Sequence, residues 1–330
     1  VEPINVLVND QICEEMLPRI AAIDSRINVA HVGKLLDAEY KGDTEAEQLL
    51  DRLLEQAEVY AGMRMPARLL ARSPRLKWVQ MMRAGVEGVL TDELRASPVV
   101  LTNVAGVHSF APAEFAILMC LAHAKKIRES YRQKESRLWE QFSVMSLRGK
   151  TMGIIGFGNI GRRTARVAKA LDMWVIGTRR SLTKPGKARW ADVMLPMASL
   201  DRLLADSDYI VVTLPSTPET HHLIGPHQLD VMKRDAFLVN VGRGSVVDES
   251  ALAVALKQGW IAGAALDVFE EEPLPKNSPL WGLPNLIYSP HVAGYIVEYP
   301  ALVRDLFVRN LERYVKGERL SGIVDKKRGY

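Results

Sequence analysis

The sequence predicts an α/β protein made of two parallel-sheet units, one of them a doubly wound sheet of Rossmann type. Three observations lead there. Short apolar runs alternate with amphipathic stretches along nearly the whole chain, which implies parallel strands covered by helices on both faces. Residues 150–161 read K-T-M-G-I-I-G-F-G-N-I-G, an apolar run followed by glycines in G-x-G-x-x-G spacing. The 330 residues, 48% hydrophobic and 25% charged, are enough for about two cores.

The elements follow in order. Residues 4–8 are a first strand, and a helix ends near Pro18. Residues 28–32 read as a second strand. Residues 44–54 are helical, with Leu49, Leu50, Leu53 and Leu54 in one stripe. Further short strands lie at 59–61, 78–81 and 99–101, with a helix at 67–71. The segment 83–88, R-A-G-V-E-G, follows a strand at the place where open parallel sheets bind ligands. Ala84 and Gly85 are small enough for their amides to approach an anion; a plain turn before a short helix fits the segment equally well.

Residues 103–109 form a loop containing Gly106. Residues 112–127 are a helix that is apolar nearly all round, through Phe115, Ile117, Leu118, Met119 and Leu121. Such a helix is buried on several sides, one of which a second subunit could supply. Residues 129–142 are amphipathic and carry Tyr131, Leu138, Trp139 and Phe142. They read as an arm packed on a partner; an ordinary surface helix is the alternative.

Residues 152–155 are a buried strand, and 162–171 a helix with Ala165, Val167, Ala168 and Leu171 apolar. Strand, glycine turn and helix together mark a dinucleotide site at Gly156, Phe157, Gly158, Asn159, Ile160 and Gly161. The first glycine permits the turn, the second lets backbone approach a pyrophosphate, and the third lets helix and strand pack closely. The pyrophosphate then rests on amides at the positive end of the helix. The strand 173–176 ends at the ribose-reading position, where an acid would bind the 2′-hydroxyl of NAD. The sequence there is G-T-R-R-S. Two cations, Arg179 and Arg180, and two hydroxyls, Thr178 and Ser181, suit a 2′-phosphate and favour NADPH, with NAD still possible. Two charge-assisted bonds at about 1.5–3 kcal/mol each correspond to a preference of roughly 10²–10⁴. Solvated surface arginines are the dull alternative.

Strands follow at 209–214, 237–241 and 261–268, with helices at 200–205 and 249–258, the latter capped by Asp248. His221, His222 and His227 lie in a polar, turn-rich stretch and read as solvated. The net charge of +4 gives no nucleic-acid footprint, because the basic and acidic residues are interleaved. The two cysteines, Cys13 and Cys120, suggest a reducing compartment, hence the cytoplasm, rather than a disulfide framework. Cys120 and His123 alone cannot make a metal site. No apolar run has membrane-spanning length, and the N-terminus does not resemble a signal peptide.

Arg243, Glu272 and His291 each fall just past a strand of one sheet, where a nicotinamide would lie. A guanidinium can clamp a carboxylate and polarise a carbonyl. Imidazole exchanges protons near neutral pH, and a neighbouring carboxylate orients it and stabilises its cation. Residue types alone leave each of the three open to a structural role.

Here the chain resembles the D-isomer-specific 2-hydroxyacid dehydrogenases, the group containing glyoxylate/hydroxypyruvate reductases and phosphoglycerate dehydrogenases. The resemblance runs over nearly the whole chain. It is carried by T-M-G-I-I-G-F-G-N-I-G, L-V-N-V-G-R-G-S-V-V-D, I-A-G-A-A-L-D-V-F-E-E-E-P and S-P-H-V-A-G, in that order. It implies that Arg243, Glu272 and His291 are the catalytic trio. It implies further cofactor contacts at Leu214, Pro215, Val241, Gly242, Asp267 and Gly294, with Asp267 on the nicotinamide amide. Ala84, Gly85 and Val86 match a loop that binds the substrate carboxylate, together with Arg243 and His291. Trp139 resembles an arm residue that reaches a partner's active site in some members.

The resemblance also implies a layout. A discontinuous, flavodoxin-like substrate domain covers 1–102 and 296–330, with a C-terminal helix near 298–315. A Rossmann domain covers 103–295, with a dimerisation helix and arm at about 106–148 and a hinged cleft whose closure excludes water. The expected partners are a small 2-keto or 2-hydroxy acid and a second copy of the chain, not nucleic acid or membrane. Arg179 in place of the usual acid departs from the family pattern and points to NADP. Tyr295 and His108 occupy positions that vary in the family, so substrate identity stays open. Formate dehydrogenases share the fold but resemble a histidine–glutamine pairing, which Glu272 argues against. A dinucleotide-sensing corepressor could keep the trio; such proteins usually carry extra tails.

Overall fold

The computed structural model describes residues 2–329 apart from Asp10, Gln11, Cys13 and Glu87. Cys13 and Glu87, both weighed above, lie outside the described residues. The chain divides into two compact units, residues 1–107 with 297–330, and residues 108–296.

In the first unit, β1 (Ile4–Val8), β2 (Ile27–His31), β3 (Val59–Gly62), β4 (Trp78–Met81) and β5 (Val100–Thr102) form a parallel sheet in the order β2-β1-β3-β4-β5. Alternation along each strand divides the core between the two faces. Val6 and Val8 join a cluster with Ile20, Trp78 and Phe307, whereas Leu7 joins Leu50, Leu54 and Tyr60. The helix Thr44–Gln56 starts at Asp43, whose carboxylate accepts from the amides of Glu45 and Ala46. Its apolar stripe is narrower than the leucine run predicts. Leu50 and Leu54 are buried, Leu53 is half-buried and Leu49 is exposed, because the sheet covers one ridge of the helix and not its neighbour.

Pro18 does not end the first helix. It sits in the first turn of Leu17–Ala21, where its missing N–H costs nothing. The helix Gly33–Tyr40 has no counterpart in the sequence prediction, since it buries only Gly33 and Leu36.

The C-terminal helix Tyr299–Val315 packs Val303, Phe307 and Leu311 into the same cluster as Trp78. Tyr314 stacks on Trp78 with ring centroids 5.3 Å apart. A buried polar network pins this helix. Gln80 Oε1 accepts from the Thr102 hydroxyl at 2.9 Å and from Asn310 Nδ2 at 3.0 Å. Asn310 Oδ1 accepts from the Ser321 amide at 2.8 Å.

In the second unit, the strands are β6 (Thr151–Ile155), β7 (Trp174–Thr178), β8 (Gly186–Ala188), β9 (Ala191–Leu195), β10 (Tyr209–Val212), β11 (Phe237–Asn240), β12 (Gly263–Leu266) and β13 (Leu286–Tyr288). Their order is β13-β12-β11-β10-β6-β7-β9-β8, and only β8 runs antiparallel to its neighbour. The chain winds outward from β6 through β7 to β9, then returns to β10 and winds the other way. A doubly wound sheet of this kind has its crevice beside the carboxyl ends of the strands where the order reverses, here β6 and β10. Ile154 and Val211 face one core cluster while Ile155, Ile210 and Val212 face the other, so both sheet faces are covered.

The hairpin β8–β9 carries no sequence signal, because β8 is three exposed residues without alternation. The strands predicted to run through residues 214, 241 and 268 stop earlier, and those trailing residues form the loops of the candidate site.

The apolar helix runs Phe110–Ala124, shorter than the periodicity predicts. Lys126 takes a left-handed backbone (φ 50°) and separates it from the helix Ile127–Glu135. The amphipathic arm is not one helix: residues 138–147 are neither helix nor strand, and Trp139 is 94% exposed.

Asn310→Ala would leave Gln80 and the Ser321 backbone short of partners inside the core. The expected loss is about 1–3 kcal/mol, read as a lower denaturant midpoint with an unchanged slope.

Candidate active site

The glycine turn is fixed by backbone geometry. Gly156 has φ +99°, a conformation that L side chains rarely adopt. Its amide donates to Thr178 Oγ1 at 3.3 Å, and the Phe157 amide donates to Thr178 O at 2.9 Å. A Cβ on Gly161 would lie 2.3 Å from Gly156 O, so helix and turn touch there. A Cβ on Gly158 would meet no protein atom within 4 Å. Folding therefore places no steric demand on Gly158, and the open space before it suits a group that approaches from outside. The helix Asn159–Ala170 begins at Gly158 with no side-chain cap and no acid in its first turn, so its leading amides suit a phosphate.

The other residues assigned to this site divide into two groups. Phe157 is buried, and its ring fills the space where a Cβ on Gly177 would be. Thr178 is fully buried with its hydroxyl on the Gly156 amide, so it shapes the turn rather than presenting a hydroxyl at the surface. Val241 is a core residue, and Ile160 is half-buried against the same cluster. Leu214 packs where a Cβ on Gly156 would be, and its backbone abuts Gly242 so closely that a Cβ there would lie 2.6 Å from Leu214 O. Pro215 O accepts from the Thr220 hydroxyl at 2.7 Å. Asn159, Arg179, Arg180 and Ser181 are exposed. Arg179 follows Thr178 directly, and so leaves the sheet beside the glycine turn.

The three candidate catalytic residues follow adjacent strands. β11, β12 and β13 are paired in register, Asn240 with Leu266 and Leu266 with Tyr288. Arg243, Glu272 and His291 lie on the loops that leave those ends. The Arg243 loop is closed by Asn240, whose side chain accepts from the Gly242 amide at 3.0 Å and donates to Arg243 O at 2.9 Å. Arg243 Nη1 donates to Gly242 O at 2.8 Å. This loop presses on the next one, because a Cβ on Gly244 would lie 1.9 Å from the carbonyl carbon of Phe269. Glu272 Oε1 accepts from the Phe269 amide at 2.9 Å, and its Oε2 accepts from His291 Nδ1 at 2.7 Å. That bond puts the proton on Nδ1 and leaves Nε2 as the nitrogen able to exchange a proton with a substrate.

Asp267 holds the His291 loop. The carboxylate is almost wholly buried, and Oδ1 accepts from the Ser289 hydroxyl at 2.6 Å and the Val292 amide at 2.9 Å. The Ala293 amide lies 3.1 Å from Oδ1 and 3.0 Å from Oδ2. His291 itself has φ +54°, a strained setting for a side chain larger than glycine. Gly294 sits against the ring of His108, with its would-be Cβ 2.8 Å from Nε2. Burial pushes the His108 imidazole below its usual range, which favours the neutral ring.

In the first unit, the candidate anion loop is a turn in which Ala84 O accepts from Asn103 Nδ2 at 2.7 Å. Ala84 and Gly85 are half-buried, while Val86 is an anchor in the core.

His221, His222 and His227 are exposed, as the sequence predicts, and two of them also bond an acid. His222 Nε2 donates to Glu270 at 2.7 Å and His227 Nε2 to Asp201 at 2.9 Å. No spacing signals either pair, since the partners are 48 and 26 residues away. Cys120 is fully buried on the helix Phe110–Ala124, and burial raises its thiol pKa to about 12. His123 stacks on Phe237 with ring centroids 4.1 Å apart. Among the described residues no cluster of three or more His, Cys, Asp or Glu could hold a metal ion, and no helix is long and apolar enough to cross a membrane.

Comparison with known proteins places the chain among relatives. Residues 117–293 match the family model for the D-isomer specific 2-hydroxyacid dehydrogenase NAD binding domain. A glyoxylate reductase from Aeropyrum pernix is 36% identical over 292 residues, spanning 85% of this chain and 86% of that one. A D-isomer specific 2-hydroxyacid dehydrogenase family protein from Aeromonas salmonicida superposes with a TM-score of 0.81 at 32% identity, over 99% of this chain and 100% of the other. An NADPH-dependent glyoxylate/hydroxypyruvate reductase from Sinorhizobium meliloti, solved with NADP and sulfate, gives a TM-score of 0.81 at 28% identity, over 99% of this chain and 100% of the other.

Gly158→Ala and Gly161→Ala should separate binding from folding. The first should weaken NADPH binding at least tenfold while changing stability by less than about 1 kcal/mol. The second should lower the melting temperature, because its Cβ meets backbone. Cofactor titration by fluorescence and a thermal melt of each variant check both outcomes.

Proposed function

The chain belongs to the D-isomer-specific 2-hydroxyacid dehydrogenases, and from that premise we propose an NADPH-preferring reductase of glyoxylate, hydroxypyruvate or a similar small 2-keto acid. At the coarser level it is an NAD(P)-dependent 2-keto acid reductase. The observation that supports the proposed chemistry is the His291–Glu272 hydrogen bond beside the Arg243 loop. Reduced nicotinamide, when bound, supplies the hydride to the keto carbon. Arg243 grips the substrate carboxylate and keto oxygen through its planar fork. Protonated His291 gives its Nε2 proton to the developing alkoxide. Glu272 keeps the ring oriented and stabilises its cation throughout. The product is the D-2-hydroxy acid.

The remaining assignments belong to the same proposal. Ala84, Gly85 and Val86 form the loop for the substrate carboxylate. Asp267 has acceptor capacity left on Oδ2 for the nicotinamide amide. The exposed apolar residues Leu118, Tyr131 and Trp139 support a homodimer formed through helix and arm. A cytoplasmic setting accords with the buried free thiol of Cys120.

The cofactor preference rests on Arg179, Arg180 and Ser181 at the end of β7. The S. meliloti structure supports it, since that relative carries NADP. Thr178, with its hydroxyl turned to the glycine loop, is not needed for the preference.

Loss of NADPH absorbance with glyoxylate, hydroxypyruvate, pyruvate and phenylpyruvate tests the activity. Turnover on at least one is expected, whereas tight NADPH binding with no turnover on any would favour a dinucleotide sensor. Replacing Arg179 and Arg180 together by Ala should cut the NADPH/NADH ratio of kcat/KM by about 10²-fold or more. An unchanged ratio would remove the 2′-phosphate assignment. His291→Ala should lower kcat by about 10²–10⁴. Wild-type kcat would strip His291 of its role.

A further inference from the structure

His222 stands behind the catalytic loops and touches two of them. Its backbone amide donates to Ser245 O at 2.7 Å, on the loop that carries Arg243. Its ring Nε2 donates to Glu270 Oε1 at 2.7 Å, on the loop that carries Glu272. The neighbouring backbone adds to the first contact, for the Ile224 amide donates to Val246 O at 3.0 Å and the Asp248 amide to Ile224 O at 3.0 Å. On the far side Glu249 completes the arrangement. Its Oε1 accepts from the Glu270 amide at 2.6 Å, and its own amide donates to Glu270 Oε1 at 3.4 Å.

Two features set His222 apart from a chance surface contact. It holds φ +49°, a left-handed backbone that disfavours a side chain. Its ring is also stacked on His221, with centroids 4.0 Å apart. A strained residue persists where its surroundings over-determine it, and such residues gather at functional sites.

We propose that His222 is a positioning residue, a clamp that fixes the Arg243 loop against the Glu272 loop and so sets the guanidinium relative to the His291–Glu272 pair. Charge supports the geometry. Glu270 and Glu249 share one small volume with Glu272 close by. Burial first, and then the charges of Glu270 and Glu272, push the Glu249 carboxyl above its usual range, while the Glu270 amide and, less, His222 oppose that shift. Without the imidazole, Glu270 would lose its bond to His222 and the loop from Phe269 to Glu272 would be freer to move.

The inference rests on the reductase reading, so its test has an arm that needs no turnover. His222→Gly removes the ring and suits the left-handed backbone, so the variant should fold. His222→Gln restores a donor of similar reach. With a keto acid that the wild type reduces, His222→Gly should lower kcat about tenfold while KM for NADPH changes less than twofold, and His222→Gln should recover at least a third of the rate. Glu270→Gln should add little to the His222→Gly loss. Unchanged kcat in His222→Gly, or a loss that Glu270→Gln multiplies in full, would overturn the clamp. If the wild type reduces no keto acid, the reductase reading fails by itself, and hydrogen exchange decides the clamp. Faster exchange at the Phe269 and Glu270 amides in His222→Gly upholds it, and unchanged exchange overturns it.

Discussion

Asp267 is a carboxylate enclosed by protein on the sheet's carboxyl edge, and the position of His291 depends on it. A buried charge is costly unless its acceptors are filled. Here one hydroxyl and two amides meet it, mostly at Oδ1, all donated from the three residues Ser289, Val292 and Ala293. The loop is therefore wrapped around the carboxylate, and His291 lies at its middle with a left-handed backbone that a free peptide would rarely adopt. The strain is offset by bonds that only this conformation allows. Glu272 then needs to orient no more than the ring.

The rest of the site follows from strand register. β11, β12 and β13 are three or four residues long and end level with one another. Loops leaving level ends must share space, and the backbone resolves this by contact. Gly244 lies so close to Phe269 that a side chain on Gly244 would force the two loops apart. The loop carrying Arg243 and the loop carrying Glu272 are thus held against each other without long-range steering. The parallel sheet supplies the alignment, and the glycine supplies the closeness.

Much of this was legible in the sequence, for physical reasons. A buried parallel strand is a run of apolar residues with turn signals at its ends, so β1, β4 and β6 stand out. The glycine turn is legible because backbone approach leaves only glycine at fixed spacing. Arg243, Glu272 and His291 were legible as residues just beyond strands, and the family motifs then gave them roles. Three things were not. Strand β8 is exposed at every residue, so no burial pattern marks it. The end of the helix Phe110–Ala124 is set by one left-handed residue, Lys126, in a stretch whose composition is still helical. The inward hydroxyl of Thr178 depends on the path of the glycine turn, which spacing does not encode.

The run F-E-E-E-P shows how little composition says about role. Three adjacent acids look interchangeable and all three are exposed, yet Glu270 takes His222 and Glu272 takes His291. Two histidine–glutamate pairs thus share one loop, with their acids two residues apart. A charge lost at Glu270 is felt at Glu249. What distinguishes Glu270 from Glu272 is the partner each meets. The proton-bearing nitrogen of His291 is set by its bond to Glu272, and the His222–Glu270 pair holds the backbone from which Glu272 reaches it.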